Sequence, residues 1–354
     1  MTPEHWKTKH PAHPWLAADD CDGVQALLAH MQALRDGERV ASCSKAGEGN
    51  MNLTLRVLLA SPAGHRTLIV KQSRPWVEKY DFIAAPWDRA NVEAAFLQKV
   101  ATVPVLAARM PAVIAADADA RVLVMHDLGA GSDFFSLYQD ATIAPETLAA
   151  LARWLGTLHM TFRGAQDAAL VNREMRRLNH AHMFVIPLTD PTTMNLAQFD
   201  SDLPEAAAEL RGDANYRQIV AGAGERYLHD GACLLHGDFF PGSWLQTGNG
   251  GATSDVFVID PEFCFFGEAE FDLGVAVAHF ALAQTPRATA ETFLKSYGEP
   301  FDRARLGINA GIEVMRRLIG VAQLPLGQSL DRVALLRRSH RAVLERKWEW
   351  LWQS

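Results

Sequence analysis

Cysteine is scarce in this chain. Cys21, Cys43, Cys233 and Cys264 show no CxxC spacing, so the sequence offers neither a zinc site nor a disulfide framework, and it fits a reducing cytoplasm. Long apolar runs are also missing. The longest, around "LGVAVAHFALA", is too short to cross a bilayer. The opening "MTPEHWKTKHPAHPW" has no apolar core of the kind a secretory signal needs. Positive charge is not in excess: the net charge is −7, which removes the basic footprint of a nucleic-acid binder. No repeat and no low-complexity tract is visible. The partner classes left are small molecules, with neither nucleic acid nor membrane expected.

What is present is ordinary for a soluble protein, with 49% hydrophobic and 21% charged residues. A length of 354 residues is long for one core and points to two domains. The chain reads as strand-rich first and helix-rich after. Residues 1–20 form a loose lead-in, and 22–35 predict a helix. In "GEGNMNLTLRVLLASPAGHRTLIVKQ", Leu53, Leu55, Val57 and Leu59 alternate, as on a half-buried strand. "SPAG" supplies a turn and "TLIVKQ" the return strand. A Pro/aromatic loop from Pro75 to Pro86, a helix over about Arg89–Val100 and a strand in "RVLVMHDLG" follow. "PETLAALARWLGTLH" sets Leu148, Leu151, Leu155 and Leu158 on one helical face. "DVFVIDPEF" reads as a short buried strand ending at Asp260, and the remainder as mostly helix. The expected domains are 1–126 and 127–354.

Three carboxylates stand out. Asp238 leaves an apolar run in "LLHGDFFPGSWL", Asp260 closes "VFVI", and Glu262 follows two residues later. Carboxylates that end buried strands are costly unless paired, hydrogen-bonded or metal-bound. Magnesium takes one or two carboxylates together with phosphate oxygens and water. The alternative is plain turn chemistry at both places. Three N-terminal features weigh against it. "GEGN" (Gly47–Asn50) precedes a strand and offers backbone N–H groups to phosphates, with a plain hairpin entry as the alternative. Lys71 ends "LIVK". Glu93 follows it on a predicted helix. A strand Lys, a helix Glu, a loop Asp and a metal-binding Asp, in that order, are the parts of a kinase.

On these residues the chain resembles the aminoglycoside phosphotransferase and choline kinase branch of the protein-kinase-like fold, and within it the methylthioribose kinase group. The likeness rests on "HGDFFPGS", "VFVIDPEFCFFGEAEFDLG", "GEGNMNLTLRV", "IVKQSRPWV", "PWDRANVEAAFL", "RRLNHAHMFVIPL" and "VMRRLIGVAQ", over roughly residues 47–323. It implies an α+β bilobal fold, with an N-terminal antiparallel sheet lobe that binds nucleotide and a larger helical C-terminal lobe that carries catalysis and substrate. It implies ATP and Mg2+ as cofactors. Asp238 would be the catalytic base, and Asp260 and Glu262 the metal ligands. Gly49, Asn50, Lys71, Glu93 and the stretch Met125, His126, Asp127 and Leu128 would meet the nucleotide. Ser243 stands where ordinary kinases carry a metal-binding Asn, as in the methylthioribose kinase group. Phe240 replaces the usual His, and the Trp loop, "FIAAPWDR", is short. Both departures bear on the sugar.

Arg316 and Arg317 are adjacent, so on a helix they lie about 100° apart. Ile312, Met315, Ile319 and Ala322 define the apolar stripe. Arg316 falls at its border and is the better ligand-facing candidate, while Arg317 points farther away; a solvated arginine pair on a surface helix is the alternative. Trp87 and Phe240 are candidates to stack on an apolar substituent such as a thiomethyl group, with core packing the alternative. His236 reads as a hydrogen-bonder that fixes its loop, and His159 as a core histidine. Trp348, Trp350 and Trp352 read as packing on the C-terminal lobe or at a homodimer contact. The expected reaction is transfer of the γ-phosphate to a small sugar hydroxyl, 5-methylthioribose at its anomeric carbon by resemblance. Another small alcohol such as 5-deoxyribose, or a nucleotide-binding pseudokinase, remain as alternatives.

Overall fold

The alternation along residues 53–61 builds the first sheet. In the computed structural model, which describes residues 3–47, 51–192, 194–248 and 255–353, the chain divides into two compact units, Met1–Gly131 and Ser132–Ser354. The main helices of the first unit are α1 (Pro3–Lys9), α2 (Cys21–His30) and α3 (Arg89–Val100). Its strands are β1 (Arg39–Lys45), β2 (Leu53–Ser61), β3 (Gly64–Gln72), β4 (Trp76–Val77), β5 (Tyr80–Ala84), β6 (Val113–Asp117) and β7 (Val122–His126). Five of these make an antiparallel sheet in the order β1-β2-β3-β7-β6. Leu55 pairs with Val70, and Val70 with Val124. Together with Val24 and Leu28 of α2 these side chains form the core on one face. Each fully buried Leu or Val there contributes about 1.5–3 kcal/mol relative to exposure.

Some expectations need correction. The helix expected over 22–35 stops at His30, and Gln32 takes a left-handed conformation. The region 75–86, expected as a loop, contains the β4–β5 pair. Strands β1 and β6 carry no clean alternation, because each is an edge strand buried on neither face as strongly as the centre. The strand expected to end at Asp260 ends at Val258.

The second unit is mainly helical. Its main helices include α4 (Pro145–Thr161), α5 (Ala269–Leu282), α6 (Arg303–Ile319) and α7 (Arg332–Glu345). Leu148, Leu151, Leu155 and Leu158 of α4 are all buried, as their spacing predicts. Helix α6 packs against both α5 and α7. Glycines allow the approach: a Cβ at Gly274 would lie 2.5 Å from Asn309 Cβ, and one at Gly311 would lie 2.7 Å from the Ser339 carbonyl. As a result α6 is buried on nearly every side from Leu306 to Ile319. The unit also contains two antiparallel pairings: β8 (Cys233–Leu235) with β11 (Phe265–Gly267), and β9 (Trp244–Thr247) with β10 (Asp255–Val258). The C-terminal indoles are engaged within this unit. Trp348 is buried, Trp352 Nε1 donates to the Thr285 carbonyl at 2.7 Å, and the Arg341 guanidinium stacks on Trp350. Among the described residues no helix is long and apolar enough to cross a membrane.

Candidate active site

Strand alternation decides where Lys71 points. Val70 faces the core, so Lys71 faces the opposite side of β3, where α3 presents Glu93. Lys71 Nζ lies 2.6 Å from Glu93 Oε1, and the two side chains are only 7% and 1% exposed. Removing one partner of such a pair strands a buried charge. At the end of β7, Met125 pairs with Ile69 and Val113, and the His126 N–H donates to the Ala112 carbonyl at 2.9 Å. The ladder stops there. Asp127 turns its carboxylate back to accept from Arg56 Nε at 2.7 Å and from the Gly129 N–H at 3.0 Å. Its side chain therefore fixes the exit of the strand, and Leu128 follows. Gly49 and Asn50 lie outside the described residues. Trp87 donates from Nε1 to the Ser73 carbonyl at 3.0 Å. Its ring packs against Trp6, His10 and His13, with centroids 5.5, 4.8 and 4.5 Å away. This aromatic cluster belongs wholly to the first unit.

In the second unit, β8 delivers the loop that carries Asp238. His236 is fully buried. Its Nε2 lies 3.0 Å from the Ile259 carbonyl, and its Nδ1 accepts from the Asp238 N–H at 3.4 Å. Burial holds His236 below its usual range, which agrees with a neutral ring serving as a strut. Asp272, fully buried on α5, accepts from the His236 N–H at 2.7 Å and the Gly237 N–H at 2.9 Å. His159, a core residue as expected, reaches the same carboxylate at 3.2 Å. Gly237 has φ +84, and a Cβ there would lie 2.1 Å from the Phe263 carbonyl, so only glycine fits this turn.

The next residues split by side. Phe239 is buried and stacks on Trp154. Phe240 is half-buried, with the Arg317 guanidinium 4.9 Å from its ring centroid and His279 at 5.0 Å. A 3-10 turn over Pro241–Ser243 then carries the chain to β9. Ser243 is buried, and its carbonyl accepts from the Ile259 N–H at 2.9 Å.

Asp238 keeps 22% of its side chain exposed, and its Oδ1 lies 3.6 Å from Nη2 of both Arg316 and Arg317. Burial pushes its carboxyl above the usual range, against the pull of Arg317 and Arg316. The two arginines are nearly buried, at 7% and 6% exposure. The expectation that Arg317 turns away is therefore wrong. Amphipathic spacing discriminates only when a helix has a solvent face, and α6 has none at this point. The stripe ends early too: the helix stops at Ile319, and Ala322 lies beyond it. Glu313, which sequence reasoning missed, accepts from the Nε of each arginine. Its spacing of three and four residues from the pair was a legible signal. Burial opposes its charge, but Arg316, Arg317 and His279 outweigh that and hold it well below the carboxylate range.

Asp260 adopts a left-handed conformation, φ 60 and ψ 51, at the head of a 3-10 turn over Pro261–Phe263 that contains the buried Glu262. This region is uncommon for a residue other than glycine, and Asp is among those that tolerate it. Asn172, also missed, donates from Nδ2 to the carbonyls of Glu262 and Cys264, both at 2.9 Å. Among the described residues no cluster of three or more His, Cys, Asp or Glu side chains is gathered for a metal. Asp260 and Glu262 stand as a pair on one short turn.

Comparison with known proteins gives these features a family. The chain is 25% identical to methylthioribose kinase of Bacillus velezensis, over 84% of this chain and 83% of that protein. It is 26% identical to methylthioribose kinase of Exiguobacterium sibiricum, over 87% of each. Among solved structures it resembles LicA in complex with AMP, with a TM-score of 0.51 at 14% identity, covering 93% of this chain and 100% of that one. It also resembles the spectinomycin phosphotransferase APH(9)-Ia in complex with ADP and spectinomycin, with a TM-score of 0.50 at 13% identity, covering 93% and 96%. These two likenesses show the fold, an antiparallel sheet unit followed by a larger helical unit. Residues 44–308 match the family described as the phosphotransferase enzyme family, a span that takes in Lys71, Glu93, Asp238, Asp260 and Glu262, and the chain belongs to that family.

Proposed function

We propose that the protein is an ATP-dependent kinase that transfers the γ-phosphate to a hydroxyl of a small sugar, with 5-methylthioribose, phosphorylated at C1 for methionine salvage, as the acceptor. The observation that carries this reading is Asp238, a carboxylate still open to solvent and flanked by two nearly buried guanidiniums. Asp238 takes the proton of the acceptor hydroxyl as its oxygen bonds to phosphorus and the bond to the ADP oxygen breaks. Such a group contributes about 10²–10⁴-fold. The Nη groups of Arg316 and Arg317 hold the sugar hydroxyls, and Phe240 packs against the 5-substituent.

The first unit serves the nucleotide. Lys71, held straight by Glu93, meets the phosphates, and main-chain groups of Met125–Leu128 meet the adenine. Gly49 and Asn50 belong to the phosphate loop in this reading. A resident magnesium ion fits the two-carboxylate turn of Asp260 and Glu262, because magnesium draws its remaining ligands from phosphate oxygens and water. When bound, it neutralises charge on the moving phosphoryl group. Asn172 steadies the turn from behind. A cytoplasmic location agrees with four free cysteines.

The support for the acceptor is the two relatives named methylthioribose kinase, each matched over more than four-fifths of its length. The test is ADP release by purified protein with magnesium-ATP and a panel of acceptors: 5-methylthioribose, 5-deoxyribose, ribose and choline. The highest kcat/KM is expected for 5-methylthioribose. A higher value for 5-deoxyribose moves the acceptor, and nucleotide binding with no turnover on any of them leaves the pseudokinase reading.

A further inference from the structure

Three buried polar side chains of the second unit have no part in the reaction just described. Tyr138, His279 and Glu313 are 1%, 0% and 0% exposed. They form a line: Tyr138 Oη contacts His279 Nδ1, His279 Nε2 lies 3.0 Å from Glu313 Oε1, and Glu313 reaches both arginines. We propose that Tyr138, His279 and Glu313 are a positioning relay, in which Glu313 aims the guanidiniums of Arg316 and Arg317 at the acceptor. The inference rests on the acceptor role given to the arginines above.

The helix geometry creates the need. Adjacent side chains diverge by about 100°, so two neighbouring arginines do not serve one ligand unless something gathers them. Glu313 does so with one oxygen for each: Arg316 Nε donates to Oε2, and Arg317 Nε to Oε1 at 2.8 Å. Each guanidinium is fixed through Nε and presents Nη2, and both Nη2 atoms come to 3.6 Å from Asp238 Oδ1. That distance is longer than a hydrogen bond, so Asp238 does not consume these donors and a hydroxyl can take them.

The relay has one consistent proton assignment. Burial holds His279 down at about 4, so its ring is neutral near pH 7. An ionised Glu313 can only accept, so His279 Nε2 carries the hydrogen. His279 Nδ1 is then bare, and the Tyr138 hydroxyl donates to it. Stability alone gives little reason for this arrangement, since buried ionic groups replaced by apolar ones of similar volume are often neutral or more stable. Orientation is what the line supplies.

The test compares wild type with Glu313→Gln and Tyr138→Phe. Glu313→Gln keeps the volume and removes the charged acceptor. The acceptor KM should rise about 10–100-fold, as for loss of a hydrogen bond to a charged group, with the nucleotide KM within about twofold. Tyr138→Phe should raise the acceptor KM about 2–5-fold, and it decides the matter if Glu313→Gln does not fold. Equal rises in both KM values, or none, overturn the relay. Hydrogen exchange of the arginine Nε–H groups, followed by NMR, judges it without any turnover. Arg316 and Arg317 should be protected in wild type and lose protection in Glu313→Gln, and equal exchange in both proteins overturns it. A wild type that phosphorylates no sugar while these Nε–H groups remain protected removes the kinase reading and leaves the relay's geometry standing.

Discussion

The two units bury charge in different ways. In the sheet unit Lys71 and Glu93 close across 2.6 Å between a strand and a helix. In the helical unit one carboxylate, Glu313, collects two arginines and a histidine, and the arginines in turn approach Asp238. Where two opposite charges are buried against each other, removing one leaves the other buried. A network shares its charge, so one loss is partly covered by the partners that remain. The pair suits a lysine that has to stand in one place. The network suits two donors that have to be aimed together.

Four measurements sharpen or break this comparison. Asp238→Asn should have the largest effect, a fall in turnover of roughly 10²–10⁴-fold with an unchanged melting temperature. Turnover within tenfold of wild type would remove the base from the scheme. Lys71→Met should destabilise by about 3–5 kcal/mol in urea denaturation, because Glu93 stays buried and charged. Adding Glu93→Leu should restore most of that stability without restoring nucleotide affinity. Arg317→Met should cost less, about 1–3 kcal/mol, since Glu313 keeps Arg316 and His279. If it costs as much as Lys71→Met, the contrast between pair and network is wrong.

The smallest effect is on pH. Burial raises the Asp238 carboxyl above the ordinary carboxylate range. In its proposed role as a base it must be ionised, so kcat/KM should fall as the pH drops through a value higher than that of a free aspartate. Groups facing Asp238 include Arg316, Arg317, Glu313 and His236, and Tyr138 and Tyr227 also feel its charge. Arg317 is the charged neighbour that lowers it most, so Arg317→Met should shift the acid limb of the profile to higher pH. A shift to lower pH would contradict this electrostatic picture.

Local pattern carried a reader a long way in the sheet unit. The alternation from Leu53 to Leu59 places the core face, and the same period-2 rule puts Lys71 opposite Val70. Helix α3 falls where its residues predicted, with Glu93 on it. The edge strands β1 and β6 were not legible, because an edge strand does not need an apolar face. In the helical unit, "LLHGDFFPGSWL" revealed Asp238 as an acid in a place that required a reason, and His236 as its strut. It did not reveal Asp272, which holds the loop from 35 and 36 residues away.

By itself the sequence determined which side the central strands β2 and β3 bury, and the chain order of Lys71, Glu93, Asp238, Asp260 and Glu262. Only the tertiary structure decided that Arg317 joins Arg316, that Glu313 gathers both, and that His279 and Tyr138 stand behind it. The physical reason is that periodicity reports the boundary between core and solvent, and α6 has no such boundary here. Tyr138 and His279 meet across 141 residues of chain, a distance over which no local pattern carries information.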